Sequence, residues 1–165
     1  MWTSFAGVKV PCAEEGPKNN RYQAVPTGYA HTGAGAALAA ISATIRMSVA
    51  DDTTWPNVVG TLVVPSAARD QWSINRVQLS ITQPVPKDQA PKVIGYTVES
   101  YAPDRATVGI ITRQVDDSIT KTTADVKWVA GGDWLLELPP VDNTTNRVQA
   151  LADPPADMIH LPESD

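Results

Sequence analysis

Cysteine and histidine are nearly absent from this chain. Cys12 stands alone, and His31 and His160 are the only imidazoles. One thiol excludes an internal disulfide, so bridges say nothing about redox compartment. Neither histidine falls in a metal-binding spacing such as HExxH, and no DxDxDG calcium loop is present. Positive charge is scarce as well: 13 Lys and Arg stand against 18 Asp and Glu, a net charge of −5, with no basic cluster. That balance argues against a nucleic-acid partner, which needs a basic footprint. No apolar run approaches the ~18 residues of a membrane span. The first residues do not read as a secretory signal. They open on Met-Trp and an irregular, proline-bearing segment, as expected of a piece cut from a longer protein.

What is present is a foldable domain. A chain of 165 residues with 42% hydrophobic content is long enough for one core without staples. Phenylalanine is rare, but five Trp and four Tyr supply amphipathic packing groups. Fourteen prolines punctuate the apolar runs.

Residues 1–27 carry Pro11, Gly16-Pro17, Asn19-Asn20 and Pro26 and read as an extended N-terminal arm, with Trp2, Phe5, Val8 and Val10 available as anchors. Thr32 is placed to cap a helix in which Leu38, Ile41, Ile45 and Val49 recur at helical spacing. A second helix is expected from about Thr54 to Val64, with Pro56 in its first turn. Ser66 caps a third, which runs to about Ser80, although Val77, Leu79 and Ile81 also alternate like a strand.

After the prolines of Pro84–Pro91 the period switches to two. Ile94, Tyr96 and Val98 alternate with Thr97 and Glu99, and Val108 and Ile110 share a face of the next strand. In a third strand Thr120, Thr122, Ala124, Val126 and Trp128 oppose Lys121, Thr123, Asp125 and Lys127. A Gly-rich turn leads into the last strand, which holds Trp134 and stops at Pro139-Pro140. Helices followed by a meander give an α+β class, here a curved four-stranded antiparallel sheet with helices on one face, over residues 28–140. Residues 141–165 read as a C-terminal segment holding a short helix at Arg147–Leu151 or an edge strand at Met158–Leu161, ending in an acidic tail.

Few residues point to chemistry. Gly33-Ala34-Gly35 before a helix has the letters of a dinucleotide loop, but no strand precedes it. Asp51-Asp52 and Asp116-Asp117 fall at turns, where aspartate caps backbone amides. Cys12 has no basic neighbour to favour its thiolate. Asn143-Thr144-Thr145 matches a glycosylation sequon by letters only. Trp128 and Trp134 read as a cross-strand pair locking a hairpin. Tyr96 and Tyr101 are candidates to line a pocket beneath the curved sheet. We expect no catalytic set, cofactor or metal.

The order of Gly28-Tyr29-Ala30-His31-Thr32, the small-residue helix GAGAALAAISATIRMSVA and the late stretch VKWVAGGDWLLELPP resembles a family of actinobacterial proteins, mostly of unknown function, associated with mobile conjugative elements. The resemblance implies a short cytoplasmic start, one membrane helix before Trp2, and an extracytoplasmic domain beginning near the Pro and Gly-Pro arm. The expected architecture is also similar to the nuclear-transport-factor-like cone, which the ectodomains of bitopic assembly subunits use in type IV secretion channels. Those subunits scaffold and self-associate. The resemblance therefore implies a non-enzymatic scaffold whose partners are other secretion-channel proteins, a homo-oligomer, and the membrane through the preceding helix. Lys121, Thr123, Asp125 and Lys127, on the solvent face of the sheet, are the interaction candidates.

Two alternatives stand beside this one. A binding module would hold a lipid or cell-wall fragment. A small cone-fold isomerase or hydrolase would use Tyr96, Tyr101 and Asp125 around an apolar cavity.

Overall fold

The computed structural model describes residues 1–164; Asp165, the end of the expected acidic tail, lies outside the described residues. Among the described residues the domain is α+β, with three α-helices and two antiparallel sheets. A hairpin, β1 (Trp2–Phe5) and β2 (Val8–Pro11), forms the small sheet. Helices α1 (Gly33–Val49), α2 (Trp55–Leu62) and α3 (Ala67–Val77) follow. The large sheet comprises β3 (Lys92–Ala102), β4 (Arg105–Arg113), β5 (Ile119–Val129), β6 (Asp133–Glu137), β7 (Val148–Leu151) and β8 (Ile159–His160).

The helix boundaries follow from capping. The Thr32 hydroxyl accepts from the Gly35 amide at 3.0 Å, and the Ser66 hydroxyl accepts from the Arg69 amide at 3.0 Å. Each satisfies a donor that the first helical turn leaves open. Pro56 sits in the first turn of α2, where its missing amide costs nothing. Helix α1 is the core element. Ala36, Ala37, Ala40 and Ile41 are wholly buried, and their small size lets the helix lie close to β3–β6. Burial of Ile41 alone contributes about 1.5–3 kcal/mol.

The sheet is larger than the expected four strands. β3 to β6 form the meander, and the C-terminal segment adds two more strands. Residues 148–151 are a strand, not a short helix, because Ile119–Thr122 of β5 offer a free edge that pairs with them residue for residue. β8 pairs with Gly95 and Tyr96 at the opposite edge. The chain between them crosses the outer face of the sheet. Met158 packs there on Ile111 and Ile119, with Ile94 and Leu151 beside them. One face therefore carries the main core, and the other, expected to be wet, is partly covered.

Period two places most strand residues correctly. Tyr96, Val98, Val108, Ile110, Ala124 and Val126 face the helices. Ile94 does not, because the ladder slips between Val93 and Gly95 and turns Ile94 outward. The N-terminal arm is more structured than an extended segment. Val8 and Val10 are buried in the main core. The buried guanidinium of Arg46 donates to Ser42 Oγ and to the carbonyls of Gln23 and Ala24, and lies 4.7 Å from the Phe5 ring centroid. Burial lowers its pKa.

Two glycines separate packing from propensity. A β-carbon at Gly35 would strike the Ala30 carbonyl oxygen, whereas one at Gly60 meets nothing within 4 Å. Gly35→Ala is expected to destabilise by about 1–3 kcal/mol or more. Gly60→Ala, in the exposed middle of α2, is expected to stabilise by about 0.5–1 kcal/mol. Urea denaturation of the two variants checks both signs.

Candidate functional site

Two constructions dominate the surface around β5 and β6: an aromatic clasp at one end and a cavity near the other.

The clasp is built on the β5–β6 hairpin. Its turn needs left-handed backbone at Gly131 and Gly132, with φ of 101° and 89°. Trp128 and Trp134 lie directly opposite each other, ring centroids 5.3 Å apart at 70°. Asp133 turns its carboxylate to the segment before α1, accepting from the Gly28 amide at 3.0 Å and the Tyr29 amide at 3.1 Å. The Trp134 indole donates to the Ala30 carbonyl at 3.0 Å. His31 stacks flat on Trp128, centroids 3.8 Å apart and planes within 1°, while its Nε2 meets the Pro103 carbonyl. Tyr101 donates its hydroxyl to the His31 carbonyl at 3.3 Å. His31 is thus held by ring stacking and loop contacts. His160 lies in β8, remote in topology from it.

The cavity has a volume of about 440 Å³ and lies between α1, α3 and the β5–β6 side of the sheet. Its position follows from the ladder. β7 pairs with β5 up to Thr122, and β6 pairs with the same edge from Asp125 onward. The two strands are therefore separated at Thr123 and Ala124, where the Thr123 amide still donates to the Arg147 carbonyl at 2.8 Å, and Thr122–Asp125 form one wall. The apolar lining comes from Met47, Trp72, Leu79, Ile81, Leu136 and Leu138.

The charged groups on the wall are all paired. Arg147 donates to Asp125 Oδ2 at 2.7 Å, and the Thr107 hydroxyl donates to the other Asp125 oxygen at 2.6 Å. Arg76, buried, binds Asp52 at 3.1 Å and the Ala50 carbonyl at 3.0 Å, and lies 5.6 Å from the Trp55 ring centroid. Glu137 pairs with Arg105 at 3.1 Å.

The sequence candidates separate into three places. Lys121, Thr123, Asp125 and Lys127 share the outer face of β5. Lys121 pairs with Glu99 across Gly109, where a side chain would fill the space in which the two meet. Lys121 in turn holds the Glu99 carboxyl below its ordinary range. Lys127 makes no ion pair among the described residues. Tyr96 is buried in the main core, and burial raises its pKa. Tyr101 belongs to the clasp. Only Asp125 and Thr123 of these six reach the cavity, so Tyr96, Tyr101 and Asp125 do not meet around one space. The cavity residues that sequence reasoning missed, among them Trp72, Arg76 and Arg147, come from segments with no motif. The one trace of them is that Arg147 is the lone base after Pro139.

The remaining candidates have local partners. Asp51 accepts from the Thr53 and Thr54 amides, and Asp116 from the Ser118 amide and hydroxyl. Both carboxyls are held below their ordinary range, chiefly by hydroxyls: Thr54 and Thr53 for Asp51, Ser118 for Asp116. Cys12 is buried and free. The Tyr29 phenol, buried beneath α1, is pushed up to about 12 by desolvation. Among the described residues no group of three or more His, Cys, Asp or Glu is placed to hold a metal ion, and no helix is long and apolar enough to cross a membrane.

A family model described as a domain of unknown function, DUF8175, matches residues 1–154. The chain belongs to that family. The matched span takes in the residues of the β1–β2 hairpin, the clasp, the cavity and β7. No curated protein and no solved structure matches the chain.

Asp133 and Asp52 make different demands. Asp133→Ala leaves two half-buried amides without their acceptor and is expected to cost about 1–3 kcal/mol. Asp116→Ala, on an exposed turn, is expected to stay within about 0.5 kcal/mol of the parent. Chemical denaturation of both distinguishes them. The Asp52 carboxyl is held below its ordinary range by the Ile81 amide, then by the Ser80 hydroxyl and Arg76. A carboxyl depressed in the fold stabilises above its unfolded pKa of about 3.9 and loses that contribution as pH falls through the lower folded value. Asp52→Asn is therefore expected to be less stable than the parent at neutral pH, and the gap to close on acidification below about pH 4. Urea midpoints across a pH series read this directly.

Proposed function

We propose that this domain is the non-enzymatic ectodomain of a membrane-anchored conjugative-transfer component, a scaffold that works by protein–protein contact outside the cytoplasmic membrane. Its sheet and overlying helices are used in this reading as a nuclear-transport-factor-like cone. One observation carries the contact role. On α3, Ile74 and Val77 lie on one helical face, and Leu79 follows just beyond; they are 59%, 70% and 62% exposed. Single exposed apolar residues are ordinary, but three within six positions form a patch of the kind that marks a contact surface. The interaction candidates on β5 support contact less well. Lys121 and Asp125 already have partners within the domain, which leaves Lys127 as the cation available to a partner on that face.

The α3 patch also fits assembly around a stable fold. Only Arg76 of α3 is fully buried, so polar substitutions at positions 74 and 77 leave the core intact. The double variant Ile74→Asp, Val77→Asp is expected to fold and accumulate like the parent and to lose most conjugative transfer when it replaces the native gene. The native protein is expected in the membrane fraction, released only by detergent. Unchanged transfer after in-frame deletion of the gene, or recovery of the native protein solely in the cytoplasmic fraction, would sink the proposal.

A further inference from the structure

The cavity between α1, α3 and the stretch of β5 where β6 gives way to β7 shares Leu79 with the exposed patch of the contact role, but the rest of its lining lies apart from it. Its volume of about 440 Å³ falls within the range of small-molecule sites, roughly 300–1,000 Å³. Its floor and sides are hydrocarbon and indole: Met47 from α1, Trp72 and Leu79 from α3 and its extension, Leu136 and Leu138 from β6 and its exit. The space is a groove open to solvent at one side, where Ser48, Asn75 and Leu79 are exposed, and apolar at its floor. It arises because the facing residues Thr44 and Ser48 on α1 and Thr122 and Ala124 on β5 are small, and because β6 ends and β7 begins along that stretch of β5, with Arg147 alone bonded to Thr123 between them.

The ionic groups decide the class of occupant. Two cations and two anions touch the wall: Arg76, Arg147, Asp125 and Glu137. Each already has an opposite charge, with Asp52, Asp125, Arg147 and Arg105 as the respective partners. The buried Arg76 Nε has no acceptor, but the charge of Arg76 is already balanced by Asp52 and that of Arg147 by Asp125, so an acidic ligand would compete with a carboxylate for either cation. A basic ligand would have to do the reverse. Both exchanges cost more than they return in a partly desolvated site. An uncharged ligand disturbs no pair, and the hydroxyls of Thr44 and Thr122 with the Asn75 amide can bond a neutral polar head.

We propose that this cavity binds a neutral amphiphile, a single hydrocarbon chain with an uncharged hydroxyl or ester head, and that it does so at a site separate from the exposed α3 residues Ile74 and Val77. The chain lies against Met47, Trp72 and Leu136, and the head sits at the break between β6 and β7 beside Thr122. The Arg147–Asp125 pair closes one side of that break and holds residues 138–147 as its rim.

Trp72 makes the site readable. Monooleoylglycerol brominated across its double bond is the probe, since bromine quenches only nearby indoles. Titration into the purified domain is expected to give saturable quenching. Trp72→Phe is expected to lose most of the quenching. Thr44→Phe, a half-buried helical position on the cavity wall, is expected to abolish saturable quenching with its circular dichroism and melting unchanged. Brominated stearate and a brominated alkyltrimethylammonium salt are expected to bind more weakly than the glycerol ester. Absent saturable quenching by the ester, or quenching that Trp72→Phe and Thr44→Phe both leave intact, overturns the site. Tighter binding of the acid or the cation overturns the ligand class. None of these outcomes depends on transfer activity, so the site and the scaffold role fail separately.

Discussion

The carboxylate of Asp133 is the point on which the domain is hung. It accepts hydrogen bonds from Gly28 and Tyr29, 105 and 104 residues away in sequence, at the place where the N-terminal segment becomes α1. Trp134 and Trp128 surround the same junction, one donating to Ala30 and the other stacked on His31. Thr32, the next residue, caps the helix. The start of α1 is therefore fixed in position by the last hairpin of the meander. Everything that α1 packs against inherits that placement: the hairpin of β1 and β2 through Val8 and Val10, α2 through Val58 and Leu62, and the inner face of the sheet. Close approach of helix and sheet then requires alanine along α1 and glycine at position 35, where the Ala30 backbone leaves no room for a β-carbon.

The two faces of the sheet are stabilised differently. On the inner face, hydrophobic burial dominates. The outer face carries crossed polar pairs, Glu99 with Lys121 over Gly109 and Asp125 with Thr107 and Arg147, and a small apolar cluster under Met158. Exposed ion pairs contribute little stability individually. Their value here is positional. Lys121 and Arg147 tie β5 to β3 and to the segment entering β7, while Met158 fixes the chain that runs over the sheet to β8. The C-terminal segment is thus bound at both edges of the sheet and on its face.

Much of this was legible in the residues, and the failures have physical causes. The capping threonine and serine marked α1 and α3, because a hydroxyl before an apolar period satisfies a defined orphan amide. Alternation marked β3 to β6 and put Lys121, Thr123, Asp125 and Lys127 on one face. It misplaced Ile94, since a bulge inverts the side of every residue beyond it and leaves no trace in composition. Residues 148–151 carry no strand signal of their own; Val148, Gln149 and Ala150 are exposed, and only the free edge of β5 makes them a strand. The clasp was half legible, with its two tryptophans and GYAHT each conspicuous, but their junction spans more than a hundred residues. The cavity was not legible, because it is a property of where two strands stop along a shared edge.

That last property also links the two ends of β5. A β6 that continued in its own register would cover β5 to its first residue and leave no edge for β7. Instead Pro139 and Pro140 stop β6, since proline has no amide to give a ladder. The chain must then depart and return, and Arg147 pins the return by donating to Thr123 and Asp125 while its own carbonyl accepts the Thr123 amide. The same double proline that ends the hairpin bearing the clasp therefore creates the gap in which the cavity opens. Asp125, placed one residue past the gap and satisfied by Thr107 and Arg147, serves as the anchor of that rim. Its carboxylate is held by two donors inside the domain, and the wall it helps to form remains electrically balanced.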